Sequence, residues 1–146
     1  MLVFDDYPVG ASALRIVNNH EALIAKGIRA LGLYPGQDTI LITLAHNGQQ
    51  AQNALAEIMQ VDHSTVAKSV RRLVNAQLAE TCKSSTDRRV TLVQLTPSGL
   101  KLANKVEAIC HTIEEQSIQG LSPEEQAVFV KVADKICDNL LKIETK

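Results

Sequence analysis

Asp62-His63-Ser64-Thr65-Val66-Ala67-Lys68-Ser69-Val70-Arg71-Arg72-Leu73-Val74 decides the fold, together with the two short segments that follow it. Val66, Val70, Leu73 and Val74 recur at spacings of three and four and share one face of a helix, with Asp62 as its N-cap. The hydroxyl and basic side chains share the other face. The period then changes. Leu78–Cys82 and Val90–Leu95 read as paired strands, joined by the polar loop Lys83-Ser84-Ser85-Thr86-Asp87-Arg88-Arg89. That loop is too long for a two-residue turn and is rich in cations. A helix with one basic face, joined to a hairpin with a basic tip, offers two prongs to a polyanion. A helix in a major groove with the loop against the adjacent minor groove is the geometry this order suggests.

Upstream, Gln52–Met59 predicts a short helix with Leu55 and Ile58 inward, and Gln60-Val61 turns the chain into the helix after Asp62. Two helices joined by so short a turn, the second with an exposed polar start, make a helix-turn-helix. Before them, Pro35–His46 reads as a helix entered at Pro35. Its centre, Ile40–Ala45, is apolar on nearly all sides and is therefore expected to be buried. Asn47-Gly48 is a turn signal. A longer helix is expected from Ser12, as N-cap, to about Leu31, with Leu14, Val17, Ile24, Ile28 and Leu31 as its apolar stripe. Residues 1–11, with Asp5, Asp6, Pro8 and Gly10, read as an irregular arm. After the hairpin, Thr96-Pro97 opens a helix to about Gln119. Ser122-Pro123-Glu124-Glu125 opens a last one, to about Ile143, with a capping box.

The fold class expected is mainly α with a small β-hairpin wing: a winged helix-turn-helix at 33–96, flanked by helices at 1–32 and 97–146, in one unit spanning 1–146. The flanking helices carry apolar stripes that so small a sheet cannot cover. Burial against a twofold-related copy is the expected solution, and makes them dimerisation helices.

At 146 residues the chain can bury one sizeable core; 45% of it is hydrophobic and only 3% aromatic, with no Trp. That balance favours aliphatic helix packing over a base-stacking surface. The net charge of −1 hides a strong asymmetry. Residues 62–105 carry +5, residues 1–61 carry −2 and residues 106–146 carry −4. A basic block between acidic ends is the footprint of a DNA-reading module. No apolar run is long enough for a membrane span, and no leader pattern opens the chain, so a cytoplasmic location without membrane partners is expected. Cys82, Cys110 and Cys137 show no metal or disulfide spacing and read as reduced thiols serving packing. His20, His46, His63 and His111 are scattered, so no metal or cofactor is expected; His63, beside the helix start, is placed for a phosphate. No nucleophile–base pair, phosphate loop or carboxylate pair supports an enzyme.

Asp87-Arg88-Arg89-Val90-Thr91-Leu92-Val93-Gln94-Leu95-Thr96-Pro97-Ser98-Gly99 resembles the wing signature of the MarR family of bacterial winged-helix regulators. Leu33-Tyr34-Pro35-Gly36-Gln37, Leu55-Ala56-Glu57 and Asp62–Val66 are similar to the family's other conserved stretches, and the order of elements matches over 12–143. Two positions depart from the family pattern: Gln77 stands where a left-handed Gly commonly ends the recognition helix, and Tyr34 where a capping Ser or Thr is common. The resemblance implies a homodimeric DNA-binding regulator, most often a repressor of a pseudo-palindromic operator, released by a small-molecule effector. The residues expected to meet double-stranded DNA are Ser64, Thr65, Lys68 and Ser69 at base edges, and Arg71 or Arg72 at a phosphate or guanine. At the wing, Arg88 or Arg89 would enter a minor groove, with Asp87 orienting an Arg by a bidentate pair. If Asp87 takes Arg89, Arg88 is the freer contact. Two rivals stand beside this reading: a thiol-based redox sensor using one of the three cysteines, and a winged-helix protein-interaction module without DNA.

Overall fold

Pro8, not Ser12, begins the first helix of the computed structural model, which describes residues 6–144. Proline suits a first-turn position because its missing N–H would find no partner there. The irregular arm expected over residues 1–11 is therefore helical from Pro8 onward, and the stretch 1–5 lies outside the described residues. Helix α1 spans Pro8–Ala30 and ends before Gly32, which has φ +77°. Helix α2, Gln37–Asn47, starts two residues later than expected. The left-handed Gly36 (φ 89°) keeps Pro35 in the turn instead of the helix. Gln37 is buried and its Oε1 accepts the Tyr34 N–H, while Asp38 Oδ1 accepts the Gly36 N–H, so side chains close this turn.

The sheet has a strand that hydrophobic periodicity did not reveal. Strand β1 is only Gln50–Ala51, too short to show a pattern, and precedes helix α3, Gln52–Met59, and helix α4, His63–Asn75. Strands β2, Ala79–Lys83, and β3, Thr91–Leu95, form the hairpin, and β3 lies in the middle of the antiparallel order β1-β3-β2. Cys82 pairs with Leu92 and Lys83 with Thr91, so the wing loop is 84–90 and Val90 belongs to it. Helices α5, Pro97–Ser117, and α6, Pro123–Glu144, complete the chain. It divides into two compact units, Met1–Ile113 and Glu114–Lys146, the boundary falling within α5.

The first unit holds the core. Ile40, Leu41 and Leu44 of α2 are buried, as its apolar centre required, and pack with Leu55, Val66, Val70, Leu73 and Val93. Ile28 of α1 and Ala103 and Val106 of α5 extend the same cluster. In α3, Leu55 is buried but Ile58 is 51% exposed, contrary to expectation. Ala56 and Met59 take the inward positions, one and four residues after Leu55. Cys82 and Cys137 are exposed as well, so packing does not account for either thiol.

Gly99, which ends the wing signature, earns its place by close approach. A Cβ there would stand 1.8 Å from the Leu78 carbonyl oxygen. That carbonyl is pinned because it accepts the Thr96 N–H, and the Thr96 hydroxyl donates to Gln77 O while accepting the Gly99 N–H. One threonine thus caps α5 and ties it to Gln77, just past the end of α4. Gln77 itself adopts φ 58°, taking the left-handed turn without glycine.

In the second unit, Ser122 and Glu125 form the expected capping box: Ser122 N–H donates to Glu125 Oε2 and Glu125 N–H to Ser122 Oγ. No residue of α6 is buried among those described; Val128, Phe129 and Leu141 are all more than half exposed.

Candidate nucleic-acid interface

The turn between α3 and α4 is made by Gln60, in the left-handed region at φ 53°, and Val61, whose N–H donates to Ala56 O. Asp62 then caps α4. Its Oδ1 accepts the Thr65 N–H at 2.9 Å, its Oδ2 accepts the Thr65 hydroxyl at 2.7 Å, and the Ser64 hydroxyl also donates to Oδ1. Ser64 and then Thr65 hold the Asp62 carboxyl far below the usual carboxylate range. Both hydroxyls expected at base edges are thereby engaged in the cap, while remaining solvent-exposed.

Burial of Val66, Val70 and Leu73 turns the other face of α4 outward. Lys68, Arg71 and Arg72 are exposed on it, and Ser69 is half-buried at its edge. Arg72 does not hang free: its guanidinium carbon lies 4.8 Å from the centre of the Tyr34 ring. In the sequence, Tyr34 stands out only as a departure from a capping residue. The partner lies far along the chain, so no local pattern could expose the pair.

The wing tip is an ordered loop. Ser84 Oγ accepts N–H bonds from Thr86 and Asp87, and Val90 N–H donates to Asp87 O. Asp87 does take Arg89, but through one oxygen: Oδ1 accepts both the Arg89 backbone N–H at 2.9 Å and its Nε at 3.3 Å. The expected bidentate fork is not formed. Arg89 remains 92% exposed despite the pair, and Arg88 is exposed beside it. Lys83 Nζ donates to Thr91 Oγ1 across the hairpin, which steadies the base of the wing. Three exposed cations on one helix and two at a loop tip, with hydroxyls at the helix start, suit a phosphate backbone.

A cleft of about 540 Å³ opens between α1, α2 and α5 in the first unit. Ile24, Ile28 and Ile42 form apolar walls; His20, Glu21 and Asp38 bring polar groups, and Cys110 lines the α5 side. Burial first, then Asp38 and Glu107, push the Cys110 thiol upward, so it resists forming a thiolate. His46 contacts Glu107 at the far end of α2. Among the described residues no three His, Cys, Asp or Glu side chains converge as metal ligands, and no helix is long and apolar enough to cross a membrane.

A helix-turn-helix backed by a three-stranded wing defines a winged-helix protein, and a family profile described as "Winged helix DNA-binding domain" matches residues 33–99. A probable transcriptional regulator from Pseudomonas aeruginosa is similar at 28% identity, over 90% of this chain and 98% of that one, with a TM-score of 0.77. BpsR of Bordetella bronchiseptica, whose DNA binding is regulated by 6-hydroxynicotinic acid, is similar at 26% identity over 89% and 98%, with a TM-score of 0.77. A cysteine mutant of MarR from E. coli, complexed with operator DNA, shares the fold at 18% identity over 93% and 98%, with a TM-score of 0.81. The chain thus carries a winged helix DNA-binding domain and has the fold of these transcriptional regulators, MarR among them.

Proposed function

We propose that this protein is a cytoplasmic, homodimeric repressor that binds a pseudo-palindromic operator and is released by a small molecule. One observation carries the reading: the exposed cations of α4 and those of the wing tip belong to one hydrogen-bonded lobe, so both can meet the same duplex. In this reading α4 enters the major groove with Lys68 and Ser69 toward base edges, and Arg71 and Arg72 take phosphates. Ser64 and Thr65 contribute their hydroxyl oxygens or, with Asp62, fix the helix start. Arg88 inserts at the adjacent minor groove, and Asp87 keeps Arg89 close to the loop as a second phosphate contact. The segments 1–32 and 97–146 act as the dimerisation helices around the 33–96 DNA lobe. Exposed Leu14, Val17, Val128, Phe129 and Leu141 supply apolar surface that a second copy would bury. The effector would enter the cleft between α1, α2 and α5, and act by preferring one separation of the two DNA lobes over the other.

The test is selection of bound genomic fragments by the purified protein, repeated with Arg88 and Arg89 both changed to Ala. Enrichment of a pseudo-palindromic site by the native protein, lost in the variant, is expected. No enrichment over random fragments at moderate salt would leave the protein-interaction module as the better account.

A further inference from the structure

The cleft between α1, α2 and α5 has an electrostatic character that selects what can enter. Its acidic lining groups are Glu21, which is exposed, and Asp38; His20 lines it as well, and neither Lys nor Arg is among its lining residues. Asp38 is half-buried, with Oδ1 accepting the Gly36 N–H, so its charge is fixed at the mouth of α2. Ile24, Ala25, Ile28 and Ile42 give it apolar walls. Its volume, about 540 Å³, lies within the range of small-molecule sites.

We infer that this cleft takes a hydrophobic organic cation: a protonated amine set between Glu21 and Asp38, on an apolar body lying against the isoleucine wall. A carboxylate in the same place would face two carboxylates with no Lys or Arg to compensate them and His20 as the one basic side chain in the lining, and like charges at close range repel. Burial is the first cause of the rise of the Cys110 thiol, and Asp38, with Glu107, adds to it from across the cleft. The preference is thus opposite in charge to the carboxylic acid that regulates DNA binding by BpsR. Pro35 and Gly36 also line the cleft, next to Tyr34, whose ring carries Arg72 of the recognition helix. Occupancy therefore bears on the turn that holds a DNA-facing cation. The inference rests on the proposed effector-released regulator and names its effector class.

The experiment compares two probes sharing one apolar body, phenylbutylamine and phenylpentanoate, by titration calorimetry on the full-length protein near neutral pH. The amine is expected to bind and the carboxylate to bind far more weakly. In the double variant Glu21→Gln, Asp38→Asn, amine affinity should fall about tenfold while carboxylate binding does not weaken. Asn at 38 keeps an oxygen for the Gly36 N–H, and circular dichroism melting checks the fold. The wild-type comparison stands if the variant does not fold. Equal or tighter binding of the carboxylate, binding of neither probe, or an unchanged amine affinity in the folded variant would each overturn the assignment. A second arm measures affinity for the selected operator with and without the amine. Amine binding that leaves operator affinity unchanged would sink release by effector, while the ligand class of the cleft stands.

Discussion

Tyr34 and Gly99 show how much a single position can decide. An Arg stacked on an exposed aromatic ring gains about 0.5–1 kcal/mol. Tyr34→Leu should therefore weaken operator binding about two- to fivefold, and Tyr34→Phe should retain it. Arg72→Ala should weaken binding by itself, and adding Tyr34→Leu to it should cost little more. Competition binding with labelled operator measures all four; additive losses would mean that the ring does not act through Arg72. Gly99→Ala asks something different, because its Cβ meets a backbone oxygen that is already hydrogen-bonded. Destabilisation of about 3 kcal/mol or more is expected, read as a lowered urea midpoint. The glycine was visible in the wing signature. The reason for it was not, since Leu78 and Gly99 meet only when the hairpin closes.

Among the elements, α4 depends on its cap. Asp62 has its carboxyl pKa depressed in the fold by Ser64 and Thr65, so the unfolded chain binds the proton more readily. The stability this contributes is present above the ordinary aspartate value of about 4 and is lost as pH falls from there toward the depressed value. Asp62→Asn keeps an acceptor but removes the charge. The variant should have a lower urea midpoint than wild type at a pH of about 6, and the gap should narrow at a pH of about 3. A gap that widens in acid would contradict the cap's role. Helix α4, its cap and its buried face were legible from spacing alone, because an amphipathic helix records its environment every three to four residues. Helix α3 was legible in extent but not in orientation: eight residues leave room for two apolar faces, and packing against α2 and α4 chose Ala56 over Ile58. Strand β1 left no trace, since two residues cannot display a period.

At the scale of the whole molecule, the proposed dimer and its DNA contacts make separable predictions. Phe129→Asp on α6 should shift the protein toward monomer in sedimentation equilibrium at micromolar concentration, because a charge would replace a large apolar contact at the proposed interface. An unchanged dimer would remove α6 from that interface. Loss of a phosphate contact lowers the salt dependence of binding. Arg89→Ala should reduce the slope of log affinity against log salt by about two, one contact per protomer. An unchanged slope would place Arg89 off the backbone.

The order of helices, the hairpin and the basic block are all legible in the sequence, since each is written in local period, capping residues and charge along the chain. Tertiary structure alone decided which cations are held and which are loose. Arg72 is carried by Tyr34, Arg89 leans on Asp87 through one oxygen, and Ser64 and Thr65 serve a cap. It also decided that Glu21, Asp38 and Cys110, distant in the chain, line one cleft. Such arrangements depend on how α1, α2 and α5 cross, which depends on side-chain volumes meeting in three dimensions and leaves no periodic mark on any one segment.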